Sequence, residues 1–251
     1  MTISLDGQPY KGLFITGTDT GVGKTLVSAV LAVALQPRME HGFSYLKPME
    51  SGIPDREALT RDSDGARVKK AADLIEPLSQ IVPFWFREPL APMLAARRQG
   101  EIVSRENLLQ AVNFHLSQYR FTLVEGAGGL MVPLCPDYLV ENFINELQLP
   151  VLVVCRSALG GINHTLLTLS RLRQAKIPIA GIIINHAAGD PGIPEKNFAA
   201  LIREFDPVSI LGELPYLAEF SFDRGTLLSL AKRLDFDNLS RFLFFKSGAG
   251  V

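Results

Sequence analysis

Short, uninterrupted apolar runs alternate with helical patterns along this chain. The runs cover residues 13–15, 43–46, 121–124, 151–155, 179–184 and 208–211. Continuous apolar strands separated by helices imply a mostly parallel sheet covered by helices on both faces, an α/β fold. In such sheets ligands bind beyond the carboxyl ends of the strands. The unusual motifs of this chain all follow such ends: the glycine loop Gly17 to Thr25, Lys47, Glu125 to Gly129, Asn185 and Pro215. No internal repeat, linker or low-complexity segment divides the 251 residues, so one domain over 1–251 is expected.

The helices are read as follows. The first runs from Lys24 to about Gln36, apolar nearly all round (Leu26, Val27, Val30, Leu31, Val33, Leu35), as a helix buried on more than one side requires; Pro37 stops it. Further helices are predicted over 62–75, with Asp62 as N-cap, over 104–118 capped by Ser104, over 164–176, from Pro194 to Phe205, and over 226–245. Residues 77–100, rich in proline and aromatics, read as an irregular excursion.

The loop Gly17-Thr18-Asp19-Thr20-Gly21-Val22-Gly23-Lys24-Thr25 carries the first chemistry. Its glycines let backbone N–H groups turn toward an anion, and the helix that follows presents its positive end to the same anion. Lys24 can reach β/γ-phosphates and Thr25 can place its hydroxyl on Mg²⁺. The strict phosphate-loop pattern has four residues between its first glycine and Gly-Lys-Thr. Here Gly17 is one residue early and Thr18 holds the strict position, so the loop is a variant. Strand before and helix after supply the context, and ATP is the expected ligand.

Three charged residues have two readings each. Lys47, held extended by Pro48, is either a strand-end lysine or a cation aimed over the sheet edge. Asp64 is either a first-turn acid complementing its helix or a Mg²⁺ ligand. Glu125 closes a strand beside a phosphate loop, where it needs a cation between itself and the phosphate, and is either a metal ligand or the partner of Lys47.

Together these segments resemble dethiobiotin synthetases, over about residues 13–217 and in the family's order. The resemblance rests on the glycine loop, Lys47-Pro48-Met49-Glu50-Ser51-Gly52, Ser63-Asp64, Val124-Glu125-Gly126-Ala127-Gly128-Gly129, Leu159-Gly160-Gly161-Ile162-Asn163-His164 and Gly212-Glu213-Leu214-Pro215. It implies a phosphate-loop NTPase-like fold and ATP- and Mg²⁺-dependent ring closure of 7,8-diaminopelargonic acid with CO₂. The reaction passes through a carbamate and a carbamic–phosphoric anhydride to dethiobiotin, in biotin biosynthesis. Lys24 and Lys47 would be the catalytic lysines, and Thr25, Asp64 and Glu125 would hold Mg²⁺. Gly21, Val22, Gly23, Lys24, Thr25 and Leu26 would bind the nucleotide, with Glu125, Gly126, Ala127 and Gly128. Asn185, His186, Pro215, Tyr216 and Leu217 would surround the adenine. Thr20, Lys47, Ser51 and Gly128 would face the substrate. Gly160, Gly161, Ile162 and Asn163 would reach it from a neighbouring subunit, so a homodimer is implied; Asn163 as a plain helix N-cap is compatible with that. Met49-Glu50 is a charged departure from the family's pattern, and the last thirty-odd residues do not align.

Two other readings share the variant loop. A corrin side-chain amidotransferase would carry a further glutaminase domain with a nucleophilic cysteine, for which the chain is too short, and Cys135 and Cys155 lie outside any nucleophile elbow. A nucleotide-switched partitioning or positioning ATPase would carry a lysine early in the loop, where this chain has Gly17-Thr18-Asp19-Thr20. A net charge of −1 offers no global field for nucleic acid or an anionic membrane. The two cysteines form no CxxC or zinc spacing, and no secretory signal or membrane-length apolar stretch is read, so a reducing cytoplasmic location is expected.

Overall fold

The computed structural model describes residues 10–39, 42–186 and 192–244. The chain runs through β1 (Gly12–Gly17), α1 (Lys24–Leu35), β2 (Phe43–Leu46), β3 (Met49–Ser51), α2 (Arg56–Arg61), α3 (Asp64–Ala72) and α4 (Leu78–Ile81). It continues through β4 (Phe84–Phe86), α5 (Pro92–Gln99), α6 (Arg105–Gln118), β5 (Phe121–Glu125), β6 (Pro133–Cys135), β7 (Tyr138–Leu139) and α7 (Val140–Leu147). The last part holds β8 (Val151–Ser157), α8 (Gly161–Gln174), β9 (Ile179–His186), α9 (Ile193–Phe205), β10 (Ile210–Leu214), α10 (Arg224–Ala231) and α11 (Phe236–Phe244).

Six strands form one parallel sheet in the order β10-β9-β8-β1-β5-β2. Side chains alternate between its faces, as the pleat requires. Leu13 and Ile15 of β1 join Tyr45, Leu123 and Val154 under α1, α3, α10 and α11. Phe14, Leu46, Val124, Val153 and Ile182 point the other way, under α6, α7, α8 and α9. Both faces are therefore apolar, which is why the strands read as unbroken apolar runs. The expected α/β architecture is the one observed. The register sets Ile15 beside Glu125 and Leu46 beside Val124, so the ends of β1, β5 and β2 open onto one edge.

Several local expectations need correction. Residues 77–100 are not simply irregular but hold α4, β4 and α5: Pro77 precedes α4, Pro92 takes the first turn of α5, and Gly100 ends that helix with φ 76°. Proline breaks a helix interior but suits its first turn. Within the same stretch β4 pairs with β3, a two-stranded parallel ribbon outside the main sheet. Asp62 is no N-cap; it follows the unforeseen α2, and Ser63 caps α3 by accepting from the Ala66 N–H. Asn163 lies in the first turn of α8, whose N-cap position is Gly160. The helix expected over 226–245 is two, α10 and α11. The turn between them lies against β10, where the Asp235 N–H donates to the Leu211 carbonyl (2.6 Å). Phe245 lies outside the described residues. The sixth strand begins at Ile210 rather than Val208, and α7 and the β6–β7 hairpin were not foreseen. Among the described residues, no helix is long and apolar enough to cross a membrane.

Candidate active site

The glycine loop leaves β1 at Gly17 and enters α1 at Lys24. The early position of its first glycine has a steric cause. A Cβ on Gly17 would lie 2.7 Å from the Val22 side chain, 2.8 Å from the Asp19 carbonyl and 3.2 Å from the Lys24 Nζ. Gly23 has φ 102°, left-handed backbone that favours glycine, and a Cβ there would lie 2.3 Å from the Asn185 Nδ2. Asn185, at the end of β9, donates to the Val22 carbonyl (2.9 Å) and so holds the loop from across the sheet. Gly23, at the N-cap position of α1, has no side chain with which to cap it, which leaves the first-turn amides available, as an anion site requires.

Lys24 is buried and donates to the Asp19 carbonyl (3.1 Å). Burial lowers its pKa to about 8; Glu125 opposes that shift and Lys47 adds to it.

The ends of β2 and β5 hold the charged centre. Glu125 is fully buried. Its Oε1 accepts from the Thr25 hydroxyl (2.8 Å) and the Lys47 ammonium (2.9 Å), and its Oε2 accepts from the Tyr45 hydroxyl (2.8 Å). Lys47 also donates to Asp64 at the first position of α3. Burial by itself would lower the Lys47 pKa, but Glu125, Asp64 and Glu50 outweigh it and hold it well above the ordinary lysine value. Burial would raise the Asp64 carboxyl; the Lys47 ammonium outweighs that and holds it below the usual range. Burial, with Glu125 beside it, raises the Tyr45 phenol well above its usual value. Burial likewise lifts Glu50 to about 7, with Lys47 opposing the shift.

The arrangement opens on a cavity of about 650 Å³. Of the residues named from the sequence, Thr20, Gly21, Gly23, Lys24, Thr25 and Leu26 line its loop side. Lys47, Ser51, Asp64, Glu125, Ala127 and Gly128 line the rest. Ser51 is tied to the 89–92 wall by its hydroxyl, which donates to the Leu90 carbonyl (2.8 Å). Val22 is buried beneath the loop, and Gly126 lies behind the main cavity, against Phe14.

A second cavity of about 300 Å³ is lined by Asn185, His186, Pro215, Tyr216 and Leu217, and shares Gly21, Leu26 and Phe220 with the first. The His186 ring is held at both nitrogens, by the Ser157 hydroxyl (2.7 Å) and the Glu213 carboxylate (2.9 Å). Gly160, Gly161, Ile162 and Asn163 line neither cavity; they open α8 elsewhere on the same chain.

Among the site residues not foreseen, Tyr45, Glu50 and Phe220 are instructive. Tyr45 showed only as an aromatic inside an apolar run. Glu50 showed only as a departure from a pattern. Phe220 lies in a segment with no motif. A buried hydroxyl two residues before a strand-end lysine is the one signal that could have pointed to Tyr45.

The donor set suits a hard divalent cation. Two carboxylates and a hydroxyl meet at one point, and the Lys47 ammonium holds the carboxylates together there. Mg²⁺ takes one or two carboxylates and completes its shell with phosphate oxygens and water. Among the described residues no cluster of three or more His, Cys, Asp or Glu offers a site of another kind.

The family described as "AAA domain" matches residues 11–224. The ATP-dependent dethiobiotin synthetase BioD of Bacillus subtilis (strain 168) is 40% identical over 230 residues, 92% of this chain and 96% of that protein. The protein of the same name from Thermodesulfovibrio yellowstonii is 39% identical over 222 residues, covering 85% of this chain and 92% of its own. Among solved structures, a ParA family ATPase from Chlorobium tepidum TLS superposes with a TM-score of 0.53 at 15% identity, covering 90% of this chain and all of that one. The MinC:MinD cell division complex of Aquifex aeolicus gives 0.54 at 12% identity, over 93% and 95%. At that identity the structural likeness speaks for the fold alone, whereas the sequence relatives match along almost their whole length. The chain belongs to the family of ATP-dependent dethiobiotin synthetases.

Proposed function

We propose that this protein closes the ureido ring of dethiobiotin from 7,8-diaminopelargonic acid, CO₂ and ATP, a ligase step of biotin biosynthesis. The observation that carries the reading is Lys47 set between Asp64 and Glu125, beside the glycine loop and inside one cavity. One substrate amine takes up CO₂ as a carbamate. A carbamate oxygen attacks the γ-phosphorus, the bond to ADP breaks, and a carbamic–phosphoric anhydride results. The second amine attacks its carbonyl, closing the ring and releasing phosphate.

The chain's part is positioning and charge neutralisation, as in other phosphoryl transfers. Lys24 and Lys47 stabilise charge on the transferring group. Thr20, Ser51 and Gly128 line the substrate side, and the second cavity takes the adenine. Thr25, Asp64 and Glu125 would hold Mg²⁺, which when bound supplies charge neutralisation on the β/γ-phosphates. Gly160 to Asn163 open α8 away from both cavities, in keeping with a homodimer in which they serve the partner's site. A cytoplasmic location belongs to the same reading.

The test is product formation from the diamine, bicarbonate and Mg-ATP, followed by mass spectrometry. ATP bound normally with no dethiobiotin formed would sink the proposal. ATP turnover that needs a macromolecular partner and not the diamine would favour a switching ATPase.

Lys24 predicts a pH dependence. Its folded pKa of about 8 lies below the ordinary value, so in the free protein it loses its charge as pH rises through 8. Phosphate favours the charged form, so above pH 8 nucleotide binding must bring a proton with it. Affinity for ADP should change little between about pH 7 and 8, above the titration of the ADP phosphate, and fall by about tenfold per pH unit well above about 8. Calorimetry in buffers of different ionisation enthalpy reads both the slope and the proton uptake. Lys24→Met should bind weakly with no such slope; a slope that persists in that variant assigns the titration elsewhere.

A further inference from the structure

Glu50 is the charged departure in Lys47-Pro48-Met49-Glu50-Ser51. It is only 6% exposed, although it stands on the wall of the main cavity beside two other carboxylates. Burying a third negative charge there is costly unless the structure uses it. Its contacts show the use. One carboxylate oxygen accepts from the Asp64 N–H (2.6 Å) and the other from the Gly65 N–H (3.3 Å). These are the first two amides of α3, which lack partners within the helix. The third, Ala66, is satisfied by Ser63. The first turn of α3 is thus tied to β3 on one side. On the other it packs so closely that a Cβ on Gly65 would lie 2.1 Å from the Val82 side chain. Asp64 is held twice, by Glu50 at its backbone and by Lys47 at its carboxylate.

We infer that Glu50 is a positioning residue for Asp64: its carboxylate pins the first turn of α3 so that Asp64 meets Glu125 and Thr25 at one point. This rests on the reading of Asp64 as a Mg²⁺ ligand. Glu50 touches no reacting atom; it acts through the backbone of its neighbour in space.

The test measures Mn²⁺ binding to the protein–ADP complex from the electron paramagnetic resonance signal of free Mn²⁺, alongside the Mg²⁺ concentration that half-saturates turnover. Removing a residue that orients a metal ligand typically weakens metal binding by about 10- to 100-fold. Glu50→Ala should therefore raise both Mn²⁺ dissociation and the Mg²⁺ requirement by about tenfold or more. Its affinity for ADP in the presence of EDTA should not change. Glu50→Gln keeps one acceptor for the Asp64 amide and should fall between, roughly threefold weaker. Ser63→Ala removes a cap of the same helix without touching the Asp64 amide, and should bind Mn²⁺ as the wild type does.

A folded Glu50→Ala that binds Mn²⁺ normally overturns the inference, as does a Ser63→Ala that loses as much. If Glu50→Ala does not fold, Glu50→Gln decides: unchanged Mn²⁺ binding overturns the inference and the intermediate loss supports it. Asp64→Ala separates the two layers. Wild-type Mn²⁺ binding in Asp64→Ala removes the ligand assignment itself. A loss there with none in the Glu50 variants removes only the positioning role.

Discussion

Replacing Lys47 with methionine is expected to cut dethiobiotin formation by roughly a thousandfold, the scale of loss when a preorganised charge partner of the transition state is removed. The same change should destabilise the nucleotide-free protein. Lys47 is the cation between Asp64 and Glu125, and methionine leaves both carboxylates facing each other without it. Breaking a buried ion pair by removing one partner costs about 3–5 kcal/mol. Part of the Asp64 side chain is exposed, which puts the cost near the lower end. For a domain of this size that lowers the melting temperature by roughly 6–12 °C in EDTA.

Divalent cations should then act differently on the two proteins. In the wild type a metal ion held by Asp64 and Glu125 would compete with the Lys47 ammonium for their oxygens, whereas in Lys47→Met it would meet no such competitor. Mg²⁺ without nucleotide should raise the melting temperature of the variant more than that of the wild type. Turnover within tenfold of wild type, or equal Mg²⁺ shifts in the two proteins, would show that Lys47 is a structural strand-end lysine.

The strand ends were legible because each joins two local signals, an apolar run and the polar or glycine residue that stops it. Gly17, Lys47, Glu125 and Asn185 all come to one edge by that rule, since parallel strands of one sheet end on the same side. The register was not legible. Glu125 meets Thr25 a hundred residues away because β5 lies beside β1, although β2 comes first in the chain. Of the two readings of Glu125, the structure shows the partner of Lys47, and the metal ligand is a proposal that uses the same carboxylate. The 77–100 stretch misled because proline counts as a breaker in a sequence, whereas at Pro92 it starts a helix. Glu50 could not be understood locally at all. Its partners are backbone amides fourteen and fifteen residues on, and backbone amides leave no trace in residue type.

Glu125→Gln should separate the charge of the site from its architecture. The glutamine has nearly the same shape, and its oxygen can keep the Thr25 hydroxyl and the Lys47 ammonium as donors. Its amide nitrogen would face the Tyr45 hydroxyl, which can rotate from donating to accepting. The hydrogen-bond frame survives, and the main loss is the negative charge opposite Lys47. Stability should fall modestly, by about 1–2 kcal/mol, as a charge-assisted bond becomes a neutral one. Turnover should fall by roughly 10²- to 10³-fold, because the carboxylate is proposed to meet the metal on the phosphates.

Glu125→Ala should behave otherwise. It takes the Glu125 acceptor from Thr25 and Tyr45 and leaves Lys47 with Asp64 alone, and should cost about 3–5 kcal/mol as well as activity. Tyr45→Phe is the matching control: it removes one donor to Glu125 and keeps the carboxylate, so it should cost about 1 kcal/mol and leave turnover within roughly tenfold of wild type. Melting curves and Mg²⁺ titrations of turnover on these variants check the ordering. A glutamine variant that stays active at wild-type Mg²⁺ would mean that Glu125 serves the fold and the charge of Lys47 alone, leaving Asp64 and Thr25 to hold the metal without it.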